Sequence, residues 1–366
     1  MRRQLGTPSV SWINCLMNKS SEQLYVGIDL GDRKHQVCVT DDNGKILWEG
    51  KIANERSALK QLTKLYPRAK AFMEVGTHSP WISRALEKLG WDTTVANARK
   101  FRAIYTNDRK SDKLDARMLA KIGRIDPELL HPIEHGSQSA QRDLLWIKLR
   151  DRLVNSRKEI ISAINNSLKS LGYRIGAGSS ASYLKRLERD LPEECQPMVQ
   201  PMFDLLGSLN EQIKLYDQKI DNLVSKEYPQ CQRLMQIAGV GPITALCFVL
   251  KLERPQRFAK IRDVGPYLGL SPKRDQSGEV DKQLPISKRG DTYLRRLLVS
   301  CSHYILGKFA PASALRDFGL KLCEQGGARA KKRAVVAVAR KLSVLLLKLW
   351  REAMDYKPYP AQTAAA

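Results

Sequence analysis

The sequence predicts a mixed α/β domain at the N-terminal end, then a helical region and a mainly helical C-terminal domain. Up to about residue 132, short apolar runs rich in β-branched residues alternate with turn signals, a pattern typical of strands. From residue 137 to about 228, apolar residues recur every three or four positions among charges, as in amphipathic helices. Beyond residue 229, turns with glycine and proline separate further helical stretches. The 366 residues have room for two domains and a connector.

The N-terminal elements follow one another in an order that indicates a known architecture. Apolar runs end at Asp29 and Glu74, and both runs are typical of buried strands. Asn43-Gly44 is a strong hairpin signal between two further strands. The remaining predicted elements are strands at 36–40, 45–49 and 93–96 and helices at about 55–66 and 79–89. Three antiparallel strands, a helix and a fourth strand are the order of the RNase H-like nuclease fold.

Four acidic residues are the candidate metal ligands of this domain. Asp29 and Glu74 end strands, and Asp112 and Asp115 follow at a spacing of three, which places both on one face of a helix. Mg²⁺ prefers oxygen ligands, and a pair of such ions can clamp the attacking and leaving oxygens of a phosphodiester. Any one of these acids alone is more often a turn, cap or solvated surface residue. The order of the four together predicts a two-metal nuclease.

The charge of the chain indicates a polyanionic partner. The formal net charge is +24, and nucleic acid is the commonest polyanion, although a ribosome-associated or merely basic soluble protein has the same balance. No stretch approaches 18 consecutive apolar residues, so we expect no membrane span. The seven cysteines lack zinc or disulfide spacing and are expected to be small core residues in a reducing cytosol.

The two ends and the middle of the chain are predicted to lie outside the two domains. We interpret residues 1–22 as an extension, with Met17 as an alternative translation start to Met1, and residues 353–366 as a disordered tail. Residues 136–228 contain two long amphipathic runs that would form an antiparallel coiled-coil connector. A plain helical domain is the equally good alternative.

The C-terminal region, residues 229–352, carries a second group of candidate residues. Gly239 and Gly241 lie in a sequence with the form of a helix-hairpin-helix turn, which would bring backbone N–H groups to a phosphate. An ordinary helical turn is the alternative. Basic residues lie in and after a later Ser-Lys-Arg-Gly turn, and we expect nucleic-acid backbone contacts from Lys288, Arg289, Arg295 and Arg296 unless they are solvated helix residues.

Several motifs together resemble one family. They are GIDLG, MEVGTHSP, KSDKLDARMLA, GVGP, GLSPKRDQSG and ISKRGDTYLRR. From about Tyr25 to Trp350 the chain is similar to the DEDD insertion-sequence transposases, which are understood as bridge-RNA-guided recombinases. The resemblance implies an RNase H-like domain over 23–135, a coiled-coil connector and a C-terminal transposase domain.

The resemblance also implies roles for particular residues and partners. Asp29, Glu74, Asp112 and Asp115 become the metal-binding set, for Mg²⁺ or alternatively Mn²⁺, and Ser277 becomes the nucleophile that links to a DNA phosphate. Family members commonly have two serines and two glycines in this loop, whereas this chain has one serine and Glu279 after Gly278. The implied partners are double-stranded donor and target DNA, a non-coding guide RNA and further copies of the chain in a dimer or tetramer. The implied location is the cytoplasm, at the nucleoid.

Two other functions remain open at the level of sequence. A hydrolytic junction-resolving nuclease would use the acids with water and form no covalent intermediate. A non-catalytic nucleic-acid-binding protein would use only the positive charge and the hairpin turn. The first predicts cleavage without Ser277, and the second predicts that Asp29→Asn changes nothing.

Overall fold

The structure, a computed structural model, describes residues 23–97, 111–277, 280–324 and 326–359. The predicted N-terminal extension, residues 1–22 with both candidate starts, lies outside the described residues. The described residues up to His135 form one compact unit, and those from Gly136 onward form a second.

The first unit is a five-stranded sheet with helices on both faces. Its elements are β1 (Tyr25–Asp29), β2 (Lys34–Thr40), β3 (Ile46–Ala53), α1 (Arg56–Leu65), β4 (Lys70–Glu74), α2 (Ser79–Lys88), β5 (Asp92–Ala96) and α3 (Asp112–Ile125). The strand order is β3-β2-β1-β4-β5. β2 pairs antiparallel with β1 and β3, while β4 lies parallel to both β1 and β5.

Side-chain alternation divides this sheet into two buried faces. Val26 and Ile28 of β1 face α1 and α2 and pack with residues such as Leu59 and Ile82. The opposite face carries Phe72, which packs in a separate cluster with residues of α3. The predicted order of strands and helices is confirmed, and the architecture is consistent with an RNase H-like DEDD transposase. β3 is longer than predicted, because it continues past Glu49 to Ala53 as the partner of β2.

The second unit is mainly helical. Its elements are α4 (Gln138–Ser170), α5 (Tyr183–Asp190), α6 (Gln196–Asn222), α7 (Gln230–Met235), α8 (Pro242–Leu252), α9 (Val264–Tyr267), β6 (Pro272–Ser277), β7 (Val280–Ile286), α10 (Thr292–Ile305), α11 (Ala314–Cys323) and α12 (Gly327–Arg351).

The two long helices α4 and α6 run antiparallel. Arg150 donates to the Asp217 carboxylate at 2.8 Å, and Arg157 donates to the Asn210 side chain at 2.8 Å, so the partner number falls as the residue number rises. The antiparallel pairing agrees with the expected connector, while a coiled coil remains a prediction. α6 begins six residues earlier than the second predicted run at Met202: Pro197 lies in the first turn, where proline is tolerated, and the helix continues through Pro201.

The C-terminal part of this unit packs around α8, which is buried along nearly its whole length. α7, α10 and α12 contribute to the same hydrophobic core. The segment around Ser277, expected as a polar loop, instead forms a two-stranded antiparallel hairpin, β6–β7. The interpretation as a loop was wrong because β6, which carries Ser277, lacks the alternating apolar residues by which strands are usually identified.

Part of the predicted tail is held in place. The backbone N–H of Tyr356 donates to the Gln236 side chain at 2.6 Å, and the Pro358 carbonyl accepts from Ala314 at 3.0 Å. The expectation of disorder is therefore corrected for residues 353–359, while residues 360–366 lie outside the described part. Among the described residues, no helix has the length and apolar character needed to cross a membrane.

Candidate active site

Asp29 and Glu74 lie side by side at the ends of two neighbouring strands. β1 and β4 are parallel, and the last registered pair is Ile28 with Met73, so the next position on each strand carries an acid. Adjacent strands are about 4.8 Å apart. Both residues are half-buried. The backbone therefore places two carboxylates at the same edge of the sheet.

Both acids belong to the face of the sheet that α3 covers. A side chain at Gly27 would collide with the backbone oxygen of Ala116, so α3 lies directly against β1 at this point. Asp29 is two residues further along β1 and shares the face of Gly27. On β4, Phe72 contacts α3 at Gly123, and Glu74 is two residues beyond it.

The direction of α3 brings its first turn to this edge. Near its C-terminal end, Arg124 donates to the carbonyl of Asp42 at 3.0 Å. Asp42 in turn accepts from the hydroxyl of Tyr25, at the start of β1, at 3.1 Å. The C-terminal end of α3 thus lies at the start of β1, and its N-terminal end points toward Asp29.

Asp112 and Asp115 occupy the first turn of α3. Ser111 caps the helix, since its side chain accepts from the N–H of Leu114 at 3.3 Å. The positive end of the helix dipole favours carboxylates in this turn. Asp115 is half-buried and precedes Ala116, whereas Asp112 is exposed. Asp115 therefore lies closer to the sheet.

The four acids fit a hard divalent cation by their chemistry and by their placement in the backbone. All would supply carboxylate oxygens, the donors preferred by Mg²⁺ and Mn²⁺. In the described part of the chain, no group of three or more His, Cys, Asp or Glu side chains is arranged so that it could already hold a metal ion. The strands and the helix bring the acids to one edge of the sheet.

Glu49 is a further acid on this face, which the sequence did not single out. It lies on β3, accepts from Arg117 at 2.7 Å through one oxygen, and forms an ion pair with Lys113 at 3.2 Å. The hydrogen bond from Arg117 is the main reason that the pKa of Glu49 falls to about 2, against the opposing effect of burial. Glu49 therefore fastens the first half of α3 to the sheet. The spacing of four between Lys113 and Arg117, on a helix next to a strand acid, was the available signal.

Ser277 is the last residue of β6, opposite Val280 at the far end of the hairpin. The next two residues, Gly278 and Glu279, lie outside the described part of the chain. The effect of Glu279 on the loop therefore stays a prediction. Ser271 precedes the hairpin, and its hydroxyl oxygen is fully buried with no hydrogen-bond partner. Because its hydroxyl oxygen is buried, Ser271 cannot reach a substrate in this conformation.

The base of the hairpin is fixed by two interlocking glycines. Gly269 has a φ of +70°, and a side chain there would collide with the backbone of Arg289. A side chain at Gly290 would collide with the backbone of Tyr267 and Leu268. The segments before β6 and after β7 therefore pack backbone to backbone, and this contact fixes the direction in which the hairpin extends.

The four predicted phosphate-binding residues fall into different environments. Lys288 and Arg289 are exposed, but they follow β7 and so lie at the base of the hairpin, opposite the end that carries Ser277. Arg295 is turned inward: its guanidinium donates to the carbonyl of Leu268 at 3.1 Å. This corrects the expected phosphate contact of Arg295, because its donors serve the protein interior. Arg296 is half-exposed and donates to Asp151 at 2.7 Å.

Gly239 and Gly241 form the turn between α7 and α8. Gly239 has a φ of +92°, and a side chain there would press on the ring of Tyr304, so glycine is required for two reasons. Gly241 is exposed at the N-terminus of α8 with open space around it. The exposed turn leaves N–H groups at a helix N-terminus, as an interaction with phosphate requires.

Comparisons with known proteins converge on one group. The DEDD family profile described as "Transposase" matches residues 26–172, and one described as "Transposase IS116/IS110/IS902 family" matches residues 231–316. The "Transposase for insertion sequence element IS1111A" of Coxiella burnetii is 26% identical over 91% of this chain and 91% of the relative. The "Transposase for insertion sequence element IS1328" of Yersinia enterocolitica is 26% identical over 76% of this chain and 82% of the relative.

Proposed function

Because the chain belongs to the IS110/IS116/IS902 family of insertion-sequence transposases, we propose that it is an RNA-guided site-specific recombinase that works through a covalent phosphoserine intermediate. Membership implies DNA substrates and, for the DEDD domain, divalent metal ions in general. The observation that carries the proposal is the alignment of Asp29 and Glu74 at one sheet edge, toward which the acid-bearing first turn of α3 points.

The acids are assigned as the metal-binding set. Mg²⁺, or alternatively Mn²⁺, would supply Lewis-acid polarisation of the scissile phosphate and neutralise charge on the leaving oxygen. Asp29 and Glu74 would contribute carboxylates from neighbouring positions on paired parallel strands. Asp115 contributes from the helix beside them, and Asp112 is assigned the outer position because it is exposed.

Ser277 is assigned as the nucleophile. Its oxygen forms a bond to the phosphorus of the DNA backbone as the bond to the leaving strand oxygen breaks. The serine proton passes to a base or to water, and the leaving oxygen takes up a proton. A hydroxyl at the end of another strand then attacks the phosphoserine, which restores a phosphodiester and the free serine. One phosphate ester replaces another at each step, so rejoining needs no external energy source.

The partners follow from the same proposal. Donor and target duplexes and a non-coding guide RNA are all polyanions, which suits a net charge of +24. A homo-oligomer, dimer or tetramer, would hold both duplexes together. DNA as the substrate would place the protein at the bacterial nucleoid.

The covalent step has a direct test. The full-length protein is incubated with its RNA, a matched donor and target pair and Mg²⁺, then denatured and separated by size. We expect a protein–DNA band that survives detergent, because denaturants do not break a phosphoserine ester. Ser277→Ala should lose the band and still bind RNA and DNA, since one hydroxyl contributes little to a large charged interface. Ser277→Cys should retain at most traces.

Two serines near the hairpin serve as matched controls. Ser271→Ala and Ser287→Ala should keep the adduct, the former because its hydroxyl is buried. If the adduct persists in Ser277→Ala but disappears in one of the controls, the nucleophile is the serine replaced in that control. Cleavage without any adduct in all variants would favour a hydrolytic junction-resolving nuclease.

A further inference from the structure

A large basic groove lies in the C-terminal unit, between α11, α12 and the base of the β6–β7 hairpin. Its volume is about 1600 Å³. Eight of the residues lining it are lysine or arginine, and one, Asp355, is acidic. This imbalance selects an anionic occupant.

The positive charge follows one side of α12. The basic residues that line the groove from this helix are exposed and recur at spacings of three, four and seven; they are Arg329, Lys332, Arg333, Arg340, Lys341 and Lys348. From Arg329 to Lys348 the helix rises by roughly 28 Å. At roughly 3.4 Å per stacked nucleotide, this length matches about eight nucleotides of one strand.

These charges are largely uncompensated within the described residues. The one ion pair that they form there is a long contact of 3.9 Å between Lys348 and Glu352. Lys341 lies over the ring of Phe318, with its nitrogen 3.7 Å from the ring centre. Exposed cations on one helix repel one another, so an anion placed along them would relieve that repulsion.

The floor of the groove is apolar. Val336, Val344 and Phe318 are half-buried there, and Leu284 of β7 is 39% exposed. Paired bases keep their faces inside the duplex, whereas the faces of unpaired bases can contact aromatic and aliphatic side chains. An apolar floor between basic rims therefore fits a single strand better than a duplex.

We propose that this groove binds an unpaired strand of DNA, with phosphates along α12 and bases on the floor. DNA is favoured because Pro272 and Ile286, at the base of the hairpin, line the groove, and the same hairpin carries Ser277. A strand leaving the groove along β6 would run toward that serine. The choice of DNA rests on the proposed function of Ser277, whereas binding of a single strand does not.

Binding of labelled nucleic acids to the full-length protein tests the proposal. The probes are oligothymidine and oligouridine of about 20 nucleotides, longer than the stripe requires, and a duplex of the same length. The triple variant Arg333→Gln, Arg340→Gln, Lys348→Gln should bind oligothymidine roughly 10- to 100-fold more weakly at 0.1 M salt, and its salt slope should fall by about 2. Binding of the duplex should change less than about twofold, and binding of oligouridine should fall by no more than that of oligothymidine.

A matched control removes the same charge elsewhere in the unit. Lys158→Gln, Lys169→Gln, Lys331→Gln replaces three exposed lysines that do not line the groove and should bind oligothymidine like the wild type. Equal losses in both triple variants, or a larger loss for oligouridine or duplex, would overturn the proposal. Photocrosslinking of bromodeoxyuridine DNA to the wild type provides a second measurement, and crosslinks absent from α11, α12 and the β6–β7 hairpin would contradict it. Ser277→Ala should bind oligothymidine normally, so failure of the covalent mechanism is distinguishable from failure of the groove.

Discussion

The ability of Asp29 and Asp115 to bind a metal ion depends on where the backbone places their side chains. Each is half-buried, Asp29 at the end of β1 and Asp115 in the first turn of α3. Together with Glu74 they would offer carboxylate oxygens, the ligands that a hard divalent cation prefers.

Neutralising one of the acids should separate chemistry from binding. Asp29→Asn, Glu74→Gln or Asp115→Asn should reduce Mg²⁺-dependent strand cleavage by more than about 100-fold, because a ligand is lost. Binding of nucleic acid should be spared, since a negative charge has been removed from a protein that binds a polyanion. Asp112→Asn should have the smallest effect of the four, because Asp112 is exposed.

Cleavage and filter-binding assays on the same samples measure both effects. Asp92→Asn, which removes an exposed carboxylate from the start of β5, is the matched control and should cleave normally. Normal recombination by Asp29→Asn would end the metal-binding assignment.

Residue type alone did not predict which basic side chains are exposed and which are buried. Arg295 and Arg296 are neighbours in the sequence and were expected to act alike. The helical turn of about 100° per residue sends Arg295 into the interior and leaves Arg296 half-exposed. Their difference depends on which side of α10 packs against the core, and the sequence around them did not specify that.

At the scale of elements, α3 approaches β1 so closely that only glycine fits between them. Gly27→Ala would place a methyl group against the backbone of Ala116, and main chain cannot yield as a side chain can. We expect a loss of about 1–3 kcal/mol in unfolding free energy, and reduced cleavage because the first turn of α3 is displaced.

Thermal unfolding followed by a cleavage assay measures both consequences. Gly76→Ala is the control, because a methyl group there has no neighbour within 4 Å. Its stability should be unchanged or higher by up to about 1 kcal/mol. Equal behaviour of the two variants would contradict the close packing of α3.

The attachment of α3 through Glu49 should depend on pH. The folded pKa of Glu49 is about 2, below its ordinary value of 4.5. A depressed pKa means that the stabilisation is complete above about pH 4.5 and is lost as the pH falls toward 2. Glu49→Gln should therefore cost about 1–3 kcal/mol at neutral pH, and its difference from the wild type should shrink across that acidic window.

Urea unfolding at several pH values measures this dependence. Glu55→Gln, at an exposed position before α1, should show no comparable difference at any pH. A cost for Glu49→Gln that stays constant from pH 7 to the acidic end would show that packing, rather than the ion pairs, holds α3.

At the scale of the whole molecule, the net charge of +24 should cause RNA to co-purify with the protein. We expect one discrete non-coding RNA to co-purify with it, rather than a broad sample of cellular RNA, if a guide is part of the working complex. Sequencing the co-purified RNA at two salt concentrations measures this. A mixture that is washed away at moderate salt would reflect net charge alone.

The sequence predicted some levels of this structure better than others. The strand order up to Ala96 and the antiparallel run of α4 and α6 were predictable because periodic apolar residues record which face is buried. The β6–β7 hairpin was missed because the sequence of β6 contains no alternating apolar residues and so leaves no such record. The role of Glu49 was missed because ion pairs between β3 and α3 join positions more than sixty residues apart.

The arrangement of β1, β4 and α3 also bears on how the chain is made. β1 cannot complete its parallel pairing until β4 has been synthesised, and α3, which covers both, follows later still. Such long-range pairing is formed late because distant segments must first meet. On a ribosome, which extends a chain by about 5–20 residues per second, the acids stay apart for several seconds after Asp29 emerges. Under the proposed mechanism, a nascent chain can therefore assemble the metal site only when its first unit is nearly complete, and it gains Ser277 later still.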